Sequence, residues 1–203
     1  MKFKYDVITN VVSRSQIAAT RAFEAAQDSF ENEKNRVIDE FENSPITREL
    51  LSAKDSPESA ENISKTLTGY PGKPVGNLFS FIGFPRGEDV ITPVKEALLN
   101  SWTLLKTRKN PIVRGRVIRY NFTSKVDIEQ IEAASPLPFE NGSWIRAIER
   151  GISGVTNYLA GIFGSSSRSG GGIQIPHEIA GKSYTKTKYL FGFINDAIRR
   201  MKG

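Results

Sequence analysis

The chain of 203 residues is 38% hydrophobic and 25% charged, enough apolar material for one core with long exposed loops or arms and too much for a disordered chain. It has no cysteine and one histidine, His177, which excludes disulfides, thiolate nucleophiles, zinc ribbons, iron–sulfur ligation and His-rich metal sites. The net charge of +6 is concentrated: residues 101–125 carry seven basic and no acidic side chains, and residues 182–203 carry six basic against one acidic.

The opening MKFKYD runs into charged and polar residues where a signal peptide needs a continuous apolar stretch. The apolar run at 78–84 is interrupted by Ser80 and Gly83 and is too short to cross a bilayer, so folding in a cytoplasm is expected, with no membrane partner. Ser13 and Gln16 have the spacing of a capping box, which predicts the start of a long helix. Phe23, Ala26, Phe30, Val37 and Phe41 then form one apolar stripe, with Glu24, Asp28, Glu31, Lys34 and Arg36 on the other faces. Ser44 followed by Pro45 stops that helix and caps a short second one over 46–52. The resulting corner resembles a helix–turn–helix, but its second helix carries Glu49 against Arg48, and packing is the better reading.

Residues 55–74 read as loop, with room for one helical turn at 57–64, and 76–84 read as a strand with Phe79 and Phe81 on one face and Gly83 marking a bulge or a close backbone approach. Thr92 and Pro93 predict a helix start for 93–100. The clearest hairpin follows: residues 102–107 alternate, Lys109, Asn110 and Pro111 turn, and 113–122 return. Its return strand puts Arg116, Ile118, Tyr120 and Phe122 on one side and Val117, Arg119 and Asn121 on the other, giving an apolar base and a basic tip able to project. A helix at 127–134 capped by Ser124 comes next, then another from Trp144 to about Ile162 capped by Ser143, which Gly151 and Gly154 loosen enough to allow a break or a strand near Gly154. GSSSRSGGG at 164–172 predicts a flexible linker or arm, and the tail reads as a strand through Tyr189, Phe191 and Phe193 leading into a terminal helix. The fold class is therefore α+β: a long N-terminal helix packed on an antiparallel sheet with a projecting β-hairpin, one domain over 1–203.

A search for catalytic groups finds no nucleophile elbow, and His177 stands beside Pro176 in a loop. GYPGKPVG at 69–76 has Pro74 where a phosphate-binding loop needs Ser or Thr. Carboxylate pairs such as Glu40 with Glu42 or Asp127 with Glu129 are ordinary on helix surfaces. No enzymatic activity and no cofactor are expected. The candidate contact residues are Lys106, Arg108, Lys109, Arg114, Arg116 and Arg119 on the basic hairpin, which faces a neighbouring subunit, passing DNA without sequence preference, or only solvent, where its charges discourage edge-to-edge pairing.

Several blocks carry a family resemblance: Glu61, Asn62, Ile63 and Ser64 leading to Leu67 and Gly69; GNLFSFIGF at 76–84; Ser143, Trp144 and Ile145 with Glu149, Arg150, Gly151, Ile152 and Ser153; and SRSG at 167–170. Together, over a minority of the chain, they resemble the neck and tail-completion proteins of tailed phages, including minor tail components and tail terminators. The resemblance implies a virion structural protein, assembled in the host cytoplasm as a homo-oligomeric ring, commonly a hexamer. The ring would sit at the head–tail connection or tail end, against neck, tail-tube or tail-sheath proteins. The alternative is a stand-alone basic nucleic-acid-binding module in which Trp102 and Tyr120 stack on single-stranded bases among the Lys and Arg side chains.

Overall fold

The computed structural model describes residues 2–8, 16–66, 76–105, 112–114, 117–138, 141–150, 159–160, 172–173 and 187–201. The helix α1 (Gln16–Glu42) obeys the apolar stripe that its sequence carries. Ala22, Ala26, Phe30, Val37 and Phe41 are buried at successive helical spacings, so one side of a 27-residue rod faces the core. Ser44 then accepts from the backbone N–H of Ile46 and Pro45 opens α2 (Pro45–Ala53), as expected from this pair.

The sheet beneath α1 contains a strand not foreseen, β1 (Lys2–Ile8), although Phe3, Tyr5 and Val7 alternate there with Lys2, Lys4 and Asp6. Strands β2 (Trp102–Leu105), β3 (Ile112–Arg114) and β4 (Val117–Val126) complete it, all pairings antiparallel. The strand β4 is central: β1 runs along one edge from Lys2↔Thr123 to Ile8↔Val117, while β2 and β3 share the other. Residues 106–111, between the paired Leu105↔Thr123 and Ile112↔Arg119, lie outside the described residues. Only Gly115 and Arg116 separate the paired Arg114 and Val117, so Val113 and Arg114 belong to the outgoing arm and the return strand is β4 from Val117, a correction to the return expected over 113–122; the turn expected at 109–111 falls in the undescribed stretch. The basic hairpin is thus tied into the sheet through β4.

Parity along β4 divides the sheet as expected: Ile118, Tyr120, Phe122 and Ser124 are buried, and Arg119, Asn121 and Thr123 are only half-buried. The helix α1 covers the buried face, with Phe23 against Phe122 at 5.7 Å and Phe30 edge-on to Trp102 at 5.9 Å between ring centroids. The α+β architecture with a long N-terminal helix on an antiparallel sheet is therefore observed.

Four local expectations are corrected. GNLFSFIGF is helical, α3 (Leu78–Ile82), because Asn77 accepts from Ser80 N–H at its start and Gly83 ends it at φ 86°, a left-handed cap rather than a bulge. The helix α4 (Thr92–Ser101) is capped by Asp89, which accepts from the N–H groups of Ile91 and Thr92, and not by Thr92. Asp127 caps α5 (Ile128–Ala133), while Ser124 is buried within β4. Phe191 and Phe193 belong to α7 (Leu190–Arg200), whose face Phe191, Ile194, Ala197 follows helical spacing, not strand alternation.

Ser143 does open α6 (Trp144–Arg150), accepting from Arg146 N–H, but residues 159–160 are in a strand, β5 (Leu159–Ala160), and not in a continuing helix. It pairs with β6 (Gly172–Ile173), so the last residue of the GSSSRSGGG segment is in a strand. The rest of that segment lies outside the described residues.

Candidate functional site

The sheet has a second face, and it collects positive charge. Register sets Lys2, Lys4, Asp6 and Ile8 of β1 opposite Thr123, Asn121, Arg119 and Val117, all on the side of β4 away from α1. From the other edge, Thr103 opposes Lys125, Leu105 opposes Thr123, Ile112 opposes Arg119 and Arg114 opposes Val117. Five basic positions, Lys2, Lys4, Arg114, Arg119 and Lys125, thus share one face with a single acidic one, Asp6, for a net +4. Thr103, Leu105, Ile112 and Lys125 are exposed there, and Leu105 and Ile112 expose 48% and 46% of their surface.

Of the six contact residues expected from sequence, Arg114 and Arg119 are brought to this face by the β3–β4 pairing. Lys106, Arg108, Lys109 and Arg116 lie outside the described residues. Sequence reasoning missed Lys2 and Lys4, although the alternation Lys-Phe-Lys-Tyr-Asp-Val was the signal that a strand would deliver them to one side. The two aromatics that motivated base stacking point the other way: Trp102 and Tyr120 are 2% and 8% exposed, inside the core.

The blocks that carry the family resemblance have a different task. Ser64 donates its backbone N–H to Glu49 Oε2 at 2.6 Å, and Leu78, at the start of α3, donates to Glu49 Oε1 at 2.5 Å. Glu49 is fully buried, so α2 supplies a carboxylate that gathers the 54–66 loop and α3 by their backbones. Asn77 adds side-chain donations to the carbonyls of Pro57, at 2.6 Å, and Ala60, at 3.3 Å.

Glu149 repeats the device from α6. It accepts from Tyr189 N–H at 3.2 Å and Gly192 N–H at 3.0 Å, at the N-terminus of α7. Burial pushes its carboxyl above the ordinary value of 4.5, against the pull of those N–H groups and of Arg146. Asp89 is shifted the other way, below 3.8, chiefly by the backbone N–H of Thr92.

Between these carboxylates lies an aromatic cluster in which Phe84 packs edge-on to Trp144 at 6.0 Å and Trp144 lies 6.1 Å from Tyr189. The Tyr189 hydroxyl meets Thr47 Oγ1 at 2.7 Å, a buried pair that ties α7 to α2. These glutamates and aromatics serve as core architecture: each carboxylate accepts from two backbone N–H groups, and among the described residues no group of three or more His, Asp or Glu side chains could hold a metal.

An open groove of about 390 Å³ lies where β4 passes α7, lined by Lys125, Val126, Ile128, Phe191 and Ile194, with Arg146 stacked 4.2 Å over the Phe191 ring. The Arg146 guanidinium also pairs with Glu132, so its charge is neutralised within the chain. Among the described residues no helix is long and apolar enough to cross a membrane. No protein-family model, curated protein or solved structure matches this chain.

Proposed function

We propose that the chain is a non-enzymatic structural component of a tailed-phage virion, forming a homo-oligomeric ring at the head–tail neck or the tail end. The observation that carries the structural part of this reading is the outer face of the sheet. It combines the positions Lys2, Lys4, Arg114, Arg119 and Lys125 with exposed Leu105 and Ile112, a mixture of apolar centre and charged surround suited to a protein contact. The phage assignment rests on the sequence blocks at 61–69, 76–84, 143–153 and 167–170. Neighbours in that setting would be neck, tail-tube or tail-sheath proteins, and DNA would pass the ring without being read.

The basic face also favours a second reading, a stand-alone nucleic-acid-binding module. Against it stands the burial of Trp102 and Tyr120, which removes the stacking platform that single-strand binding would use. Light scattering of the purified protein at low and high salt, with and without short DNA, separates the two. A discrete multi-subunit mass, visible as closed rings by negative-stain microscopy and unchanged by DNA, supports the ring. A monomer that binds DNA, with affinity falling steeply as salt rises, supports the module and refutes the ring.

A further inference from the structure

We infer that copies of this chain meet head to tail, the basic outer face of the sheet in one copy seated on the acidic exposed stripe of α1 in the next; this rests on the ring reading above. The stripe consists of Glu24, Asp28 and Glu31, all exposed and spaced four and three residues apart on one side of the helix. None of the three forms an ion pair among the described residues, unlike Glu33 and Glu40, which both meet Arg200. At the N-terminal end of the stripe, Ile17 is 65% exposed beside a shallow groove of about 360 Å³ formed with Thr20, Arg21 and Glu24.

The two surfaces lie on opposite sides of one two-layer body. Ala22, Ala26 and Phe30 turn inward from α1, and Ile118, Tyr120 and Phe122 turn inward from β4. Glu24, Asp28 and Glu31 are exposed on the far side of α1, and Lys125 on the far side of β4. Each surface joins exposed aliphatic side chains to a net charge of opposite sign: Ile17 with Glu24, Asp28 and Glu31 against the single Arg21 on the helix, Leu105 and Ile112 with five basic positions against the single Asp6 on the sheet.

Such segregation selects the symmetry. A two-fold contact would set either face against itself and bring like charges together, which is repulsive. A head-to-tail contact sets each face against its complement, and its repetition gives a ring where the rotation between neighbours closes and an open filament where it does not. Opposed charges with an apolar centre also favour one orientation of the neighbour over others.

The test uses the full chain and two face reversals, Glu24→Lys with Asp28→Lys on the helix and Lys4→Glu with Lys125→Glu on the sheet, each checked for unchanged circular dichroism. Mass is followed by light scattering against protein concentration and salt. The wild type is expected to form the multi-subunit species, each single-face reversal to weaken association at least about tenfold, and the chain carrying both reversals to recover it. The neutral pair Glu24→Gln with Asp28→Asn serves if a reversal unfolds, and should lower the salt concentration at which the assembly dissociates. Assembly unaffected by any of these changes overturns the contact and leaves the ring standing, as does failure of the combined, folded variant to recover. A wild type that stays monomeric at every concentration overturns the ring reading and the contact together.

Discussion

Glu49 provides the sharpest test of how this fold is held. Its carboxylate is fully buried and accepts from two backbone N–H groups, Ser64 at 2.6 Å and Leu78 at 2.5 Å, from segments 15 and 29 residues away in sequence. Glu49→Gln keeps one acceptor oxygen but turns an amide NH2 toward a backbone donor, so one N–H is orphaned whichever way the amide is flipped. A buried donor left unpaired costs about 2 kcal/mol. For a chain of this size that is a fall in Tm of roughly 6 °C, at about 3 °C per kcal/mol. Glu49→Leu orphans both donors and should cost about 4 kcal/mol, roughly 12 °C on the same scale. Thermal and urea unfolding read the global effect, and amide exchange at Ser64 and Leu78 reads the local one, with protection expected to fall at both in the Leu variant. Gln and Leu variants as stable as wild type, with unchanged exchange at these two amides, would refute the claim that Glu49 organises the loop and α3.

Four further joints are testable by substitution. Gly83→Ala forces a Cβ into φ 86° at the end of α3 and should cost about 1–2 kcal/mol in urea unfolding, whereas Gly83→Asn, which tolerates that region, should cost less. Tyr189→Phe strands Thr47 Oγ1, buried with it at 2.7 Å, so the single changes Tyr189→Phe and Thr47→Val should each destabilise by about 1–3 kcal/mol while the double change is less costly than their sum. The raised carboxyl of Glu149 contributes stability below its unfolded value near 4.5 that is lost as pH rises through the folded value, so Glu149→Gln should gain on wild type between that pH and neutrality. Asp89, lowered from 3.8, has the opposite sign: its contribution is present above that pH and is lost as pH falls through the folded value, and Asp89→Asn should flatten the acid limb of the stability curve.

What could be read from sequence was whatever depends on short-range periodicity. The α1 stripe, the Ser44–Pro45 junction, the parity of β4 and the Ser143 cap all rest on residues within one or two turns of each other, and all stand in the structure. The run at 76–84 misled because its apolar residues are continuous, and period cannot be judged when every position is buried. Asn77 and Gly83 were the usable signals there, a cap at each end of five residues. Phe191 and Phe193 misled by chance alternation, while Phe191, Ile194 and Ala197 form the buried face. For the contact surface, the hairpin charges were visible but Lys2 and Lys4 were not assigned, because a terminal strand acquires its meaning only from the partner it pairs with.

The two glutamates expose a limit of local reading that is physical in origin. A helix start leaves N–H groups unpaired, and sequence rules look for the acceptor just upstream. In α7 the residue before the helix, Tyr189, offers no such acceptor, and the carboxylate arrives instead from Glu149, about 40 residues earlier. In α3 the local cap, Asn77, is present, and Glu49 satisfies the additional donor of Leu78 while also holding Ser64. Each long-range acceptor does what a local cap would do and also fixes where two segments sit relative to each other. Loss of Glu149 should therefore loosen the docking of α7 on α6 as well as its first turn, whereas loss of Asp89, which caps its own helix and also meets Lys54 at 3.4 Å, should loosen chiefly the first turn of α4. Amide exchange across α7 in Glu149→Ala, compared with α4 in Asp89→Ala, distinguishes the two: protection lost along most of α7 but only in the first turn of α4 is the expected pattern. Equal, terminus-confined losses in both would show that Glu149 is an ordinary cap.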